Sequence, residues 1–140
     1  MADHAEGIIA TSGCLAAEIP RLVEEGKDDQ ARAKIGWYHE VFGADNFYLE
    51  LQPHKIDQLG VLNRWLADYR QSKHTDVQFV ASNDVHYVYK DDWDVHDTLL
   101  CIQTGAQKTD ENRMRMNPRD SYYVKTAQEM RQEFQAAGMP

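Results

Sequence analysis

Apolar residues recur along the chain in two periods, short runs spaced by two and longer stretches spaced by three or four. Residues 7–12, GIIATS, form a short apolar run ending at Gly13, and their length and β-branched content predict a first strand. After Gly13 and Cys14 the pattern turns helical. EIPRLVEEG sets Ile19, Leu22 and Val23 on one face and stops at Gly26, while DDQARAKIGWYHEVFG spaces Ala33, Trp37, Tyr38 and Val41 at helical intervals before Gly43. NFYLELQ, residues 46–52, alternates Phe47, Leu49 and Leu51 with Tyr48 and Glu50, as a half-buried strand does. IDQLGVLNRWLADYRQ carries Ile56, Leu59, Leu62, Leu66 and Tyr69, a long amphipathic helix despite Gly60, and VQFVAS reads as a third strand.

Strand, helices, strand, helix, strand in that order predicts an α/β domain with a parallel sheet. Beyond it, DDWDVHDTLLCIQTG predicts a helix with Val95, Leu99 and Ile102 facing inward, and the polar stretch 106–121 a long loop. SYYVK suits a short strand or an extended link. TAQEMRQEFQ predicts a helix with Thr126 as N-cap and Glu129 three residues on, the capping-box pattern. No internal repeat or low-complexity tract interrupts this order.

Composition narrows the picture. At 140 residues with 42% hydrophobic content, the chain has the length and apolar supply of one ordinary domain. Its formal charge of −8 opposes unspecific binding of the whole surface to nucleic acid or an anionic membrane. Cys14 and Cys101 match neither a disulfide scaffold nor a CxxC zinc pattern, which favours a reducing cytoplasm. GIIATSGCLAA lacks the positive flank of an export signal, since Asp3 and Glu6 precede it, and no stretch has the length of a membrane span.

Each predicted strand ends in polar chemistry: Ser12 and Cys14 after the first, Glu50, Gln52 and His54 at the second, Asn83, Asp84 and His86 at the third. In parallel α/β sheets and barrels, ligands gather at the carboxyl ends of the strands. Asp84 and His86 stand two residues apart, so a strand persisting through them would project both side chains from one face. A carboxylate and an imidazole placed so, with a thiolate from a neighbouring strand end, suit zinc or another transition metal better than magnesium. The same residues also suit a plain structural reading, with Asp84 capping a turn, His86 a loop histidine and Cys14 a small buried hydrophobe. His54, four residues beyond Glu50, reads as a further ligand or a substrate contact, although an exposed loop histidine is the commoner outcome after a proline. His96 and Cys101 fall on a predicted helix as core groups or supports. His4 and His74 carry no argument. Arg113, Arg115 and Arg119 form a basic cluster that reads as solvated loop before phosphate contact. No Gly-rich phosphate loop or Ser-His-Asp arrangement is present.

EGIIATSGCLAAEIPRL, FGADNFYLELQPH, ASNDVHY and VHDTLLCIQTGAQKTDENRMRM, in this order and spacing, resemble the polymerase-and-histidinol-phosphatase (PHP) domain of bacterial DNA polymerase III alpha subunits. The resemblance runs from about Glu6 to Met130, and the CIQTG…NRMR segment separates the polymerase branch from stand-alone PHP phosphatases. It implies an irregular, TIM-like β/α barrel whose site holds divalent metals, commonly zinc or manganese. Carried over residue by residue, the metal ligands are Cys14, Asp84 and His86; Glu50 and His54 belong to the rim without being ligands. An H-x-H segment expected near the amino terminus has no counterpart here, and Ala17 stands where a glycine is usual. The resemblance therefore implies one incomplete domain, the later part of a PHP barrel, from a larger DNA-directed DNA polymerase that works with DNA and other replisome subunits in the cytoplasm. The intact domain would be a metal-dependent 3′–5′ exonuclease or related phosphoesterase. The isolated chain would be inactive and prone to self-association through open strand edges. A stand-alone metal-dependent phosphatase and a purely structural module are the alternatives.

Overall fold

The computed structural model of the chain describes residues 2–73 and 75–139; Met1, His74 and the terminal Pro140 lie outside them. The fold divides into two compact units, one running to Ser82 and the other from Asn83 onward.

The first unit is a three-stranded parallel sheet with helices. Its elements are β1 (Ala10–Thr11), α1 (Glu18–Glu24), α2 (Asp28–Phe42), β2 (Phe47–Leu51), α3 (Asp57–Lys73) and β3 (Gln78–Ala81), with β2 central. Ala10 and Thr11 register with Phe47 and Tyr48, and Tyr48 through Leu51 with Gln78 through Ala81. The first strand is shorter than its apolar run. A turn closed by Ile8 N–H on the Ala5 carbonyl (3.1 Å) precedes it, and Ile8 and Ile9 are exposed, so pairing begins only at Ala10.

Alternation along β2 sorts its two faces. Phe47 and Leu49 are fully buried among Ile19, Ala31, Ile35, Leu59, Leu62, Leu66 and Tyr69 of the helices, while Tyr48 and Glu50 take the opposite face. The face of α2 agrees with the predicted one at Tyr38, which packs against the core, and differs at Ala33 and Trp37. Ala31 and Ile35 are buried, with Tyr38 stacked on Phe42 and Phe47, whereas Ala33 and Trp37 are exposed and the Lys34 ammonium lies over the Trp37 ring. Two apolar stripes fit this helix, and the one flush with Phe47 wins. Between α1 and α2, Gly26 at φ +69° closes the turn with its N–H on the Val23 carbonyl and Lys27 N–H on that of Leu22.

The second unit holds a 3-10 turn (Lys90–Asp92), α4 (Trp93–Thr104) and α5 (Ala127–Ala136). Gly105 in the left-handed conformation ends α4, and Thr126 and Glu129 cap α5 reciprocally. Helix α4 is present where expected but turned: Val95, Leu99 and Ile102 are 61, 57 and 73% exposed, and Asp97, Leu100 and Cys101 are buried instead. Asp97 meets its counter-charge on that side: Arg113 grips it bidentately, with both nitrogens 2.6 Å from the carboxylate oxygens, in a sheltered ion pair. The 106–121 stretch holds neither helix nor strand, and SYYVK contributes a single parallel bridge, Tyr87 with Tyr123. Asn83 ties this segment down by donating to the Ser121 and Tyr123 carbonyls (2.9 and 2.8 Å) and accepting from the Lys125 ammonium (2.9 Å), which also pairs with Glu133 at 2.5 Å.

Candidate functional site

In the first unit, the carboxyl ends of the strands converge on Glu50. Thr11 Oγ1 donates to Oε2 at 2.7 Å, while Ser82 Oγ (2.5 Å) and Gln52 Nε2 (2.9 Å) donate to Oε1. The backbone N–H of Glu50 in turn donates to Ser12 Oγ at 2.8 Å, and Ser12 N–H to the Tyr48 carbonyl. All three strands thus send a polar side chain to one carboxylate. Burial is the largest single influence on Glu50 and pushes its pKa up, but the donors from Ser82, Thr11 and Gln52 together outweigh it and hold the group below the ordinary carboxylate value. Glu50 is ionised at neutral pH. Its donors Thr11 and Ser82 escaped the sequence reading, because a hydroxyl at a strand end carries no signal until the register places it opposite an acid.

Gln52, Pro53 and His54 follow Glu50 inward. His54 is buried, contrary to the expectation of an exposed loop histidine: Asn63 of α3 donates to the Gln52 carbonyl (2.8 Å) and Ile56 N–H to that of His54 (2.9 Å), drawing the turn against the helix.

Cys14 sits half-buried just past β1, in a turn where Gly13 takes φ +76° and Ala17 N–H donates to the Cys14 carbonyl at 2.8 Å. A Cβ on Gly13 would fall 2.7 Å from that of Ala17, so only glycine leaves the thiol segment in this path.

Asp84 and His86 belong to the second unit. Strand β3 stops at Ala81 and Asp84 takes φ +45°, so the pair does not share a strand face as the spacing suggested. A left-handed turn brings them together instead, a conformation that aspartate tolerates better than most residues. His86 Nδ1 lies 2.6 Å from the Asp84 backbone carbonyl. A carbonyl only accepts, so Nδ1 is the donor of this bond, which in the neutral form of the ring leaves Nε2 as the acceptor. The His86 ring packs edge-on to Tyr122 (centroids 5.6 Å apart) and His96 (5.3 Å), and the backbone N–H of His86 donates to the Tyr122 carbonyl at 2.8 Å. Burial, then the Asp84 carboxylate and Tyr87, push the Tyr122 hydroxyl up to about 12. Burial likewise pulls His96 below the usual histidine value, aided by His86 and opposed by Asp97. Tyr122 was not among the expected site residues; its contact with Asp84 and His86 spans 36 to 38 positions and leaves no local pattern. Among the described residues, no three His, Cys, Asp or Glu side chains gather into a metal-holding group.

The arginine cluster is absorbed by the fold. Besides Arg113 on Asp97, Arg115 donates to the Glu111 and Asp110 carbonyls (2.7 and 2.6 Å), and the Arg119 guanidinium lies over the Trp93 ring. No helix among the described residues is long and apolar enough to cross a membrane.

Residues 1–54 match the PHP domain family. Over most of its length the chain is similar to proteins named DNA polymerase III subunit alpha: 44% identical to that of Deinococcus radiodurans over 91% of the chain, 42% to that of Borreliella burgdorferi over 91%, and 40% to that of Thermus aquaticus over 92%. It spans only about a tenth of these relatives, 9, 11 and 10% of their lengths. The matched segment continues well past residue 54, through the turn of Asp84 and His86 and helix α4. The chain is thus similar to the PHP domain family over residues 1–54 and, over about nine tenths of its length, to a segment of bacterial DNA polymerase III alpha subunits.

Proposed function

We propose that the 140 residues are the later part of one PHP domain in a DNA-directed DNA polymerase, with 106–121 as a long loop within it and the parallel sheet as part of a β/α barrel. The observation that carries this is similarity at 40–44% identity to replicative polymerase alpha subunits across nine tenths of the chain. It favours the polymerase over a stand-alone PHP phosphatase, because the region beyond the 1–54 family match is shared with those subunits as well. The partners of the parent would be DNA and further replisome subunits, and its compartment the cytoplasm. Template-directed nucleotide incorporation by the full-length polypeptide tests the assignment; a complete reading frame of one barrel's length would overturn it.

Within that domain, Cys14, Asp84 and His86 would hold a divalent ion, zinc or manganese, with Glu50 and His54 on the rim and the remaining ligands outside this chain. The donor set fits: a thiol, a carboxylate, and an imidazole whose Nε2 is left as the acceptor by the Nδ1 bond to the Asp84 carbonyl. Such an ion would supply the charge that polarises a phosphodiester and acidifies water, the chemistry of a 3′–5′ exonuclease. The chain's own part is to fix the imidazole tautomer through Asp84 and to hold the ring edge-on to Tyr122. Manganese- or zinc-dependent nuclease activity of the full-length protein should fall sharply in Asp84→Ala; absence of any such activity, or none lost in the variant, would sink the catalytic reading and leave the domain structural. The isolated chain should carry no polymerase activity and hold metal weakly, so stoichiometric, tightly bound zinc in it would contradict the incomplete-site reading.

A further inference from the structure

We propose that the groove between α1 and α3 is a docking site for a peptide segment of a partner protein in which a large apolar side chain is flanked by lysine or arginine. The groove belongs wholly to the first unit and is independent of the metal reading. It encloses about 280 Å³, room for an apolar side chain or two rather than for a drug-sized ligand. Its walls are Leu15, Pro20, Val23, Val61 and Leu62. Val61 is 52% exposed, an apolar side chain of α3 directed at this opening rather than at the core.

Charge decides the occupant. Glu24, in the last turn of α1, and Asp57, in the first turn of α3, line the same groove, and no lysine or arginine does. Neither carboxylate takes part in an ion pair among the described residues, although Glu25 beside them is paired with Lys27 and Glu18 with Lys34. An apolar slot rimmed by two unneutralised acids selects against an anionic membrane and against an acidic partner, and it complements a basic-flanked apolar anchor.

The test uses a short amidated peptide with leucines set between lysines, titrated into the 15N-labelled chain. Backbone shifts should concentrate at Leu15, Val23, Val61 and Leu62. Val61→Asp, at a half-exposed helix position, should weaken binding about tenfold or more through loss of the apolar contact. The Glu24→Gln, Asp57→Asn pair should weaken it and flatten its salt dependence, while Glu40→Gln on α2 should not. Far-UV circular dichroism of each variant separates lost binding from lost folding. Shifts spread over the whole surface, equal loss in Glu40→Gln, equal affinity for a peptide with glutamates in place of lysines, or preferential binding to phosphatidylserine vesicles would each overturn the proposal.

Discussion

Glu50→Gln removes one charge from the centre of the strand-end network and leaves the side chain's shape almost unchanged. Hydrogen bonds to a charged acceptor contribute about 1.5–3 kcal/mol each and neutral ones about 0.5–1.5, so neutralising an acceptor of three donors forfeits about 1 kcal/mol per bond. Half of that sum is offset, because burial opposes the charge and the carboxylate still sees solvent that screens it. The expected loss is about 1–2 kcal/mol at pH 7, a fall in the urea midpoint of about 0.5–1 M for a slope near 2 kcal/mol/M. The sign with pH follows from the depressed pKa. A carboxylate held below its ordinary value of 4.5 stabilises the fold above that value and loses this contribution as pH falls through the depressed one. The gap between the native chain and the variant should therefore be full at pH 7 and narrow below pH 4.5. Equilibrium urea unfolding at pH 7, 5 and 3.5 measures it. A gap under about 0.3 kcal/mol at pH 7, below the value of a single neutral hydrogen bond, or one of constant size at all three pH values, would refute the reasoning.

Two further outcomes follow from backbone and cap geometry. Gly13→Ala meets both a left-handed φ of +76° and a Cβ 2.7 Å from that of Ala17, so it should destabilise by about 1–3 kcal/mol in thermal or urea unfolding, and a neutral effect would show that the turn relaxes at little cost. Glu129, drawn down to about 2 by hydrogen bonds from Tyr123, then from the Thr126 N–H and hydroxyl, stabilises the start of α5 above its unfolded value of 4.5 and loses this as pH falls toward 2. Circular dichroism should show helix lost over that window in the native chain, with Glu129→Gln already weakened at pH 7 and flat below it.

What was legible in the sequence was whatever depends on local period. Alternation in FYLEL and the three-to-four spacing of Leu59, Leu62 and Leu66 place β2 and α3 within a residue or two of their observed bounds, and the capping box located the start of α5. Strand ends were less legible, because a run such as GIIATS has strand composition throughout while only its last residues find a partner in β2. The joining of Asp84 to His86 through a backbone carbonyl was not legible at all: it depends on a positive φ at a non-glycine residue, which spacing cannot signal.

Helix α4 explains why helix faces are the hardest step. VHDTLLCI offers two inward faces, one apolar throughout with Val95, Leu99 and Ile102, the other mixed with Asp97, Leu100 and Cys101. Hydrophobicity alone selects the first. The second is the one adopted, and the carboxylate on it meets a guanidinium sixteen residues away in a stretch that reads as polar loop, where Arg113 spends its donors on Asp97 and the Met114 and Lys108 carbonyls instead of solvent. A charged residue on a helix is therefore evidence against burial only while its counter-charge is unknown. Reversing the logic gives the check: Arg113→Met strands Asp97 uncompensated and should unravel α4, so proton-exchange protection of the Leu100 and Cys101 amides should collapse, and their retention would show that the helix stands without the ion pair.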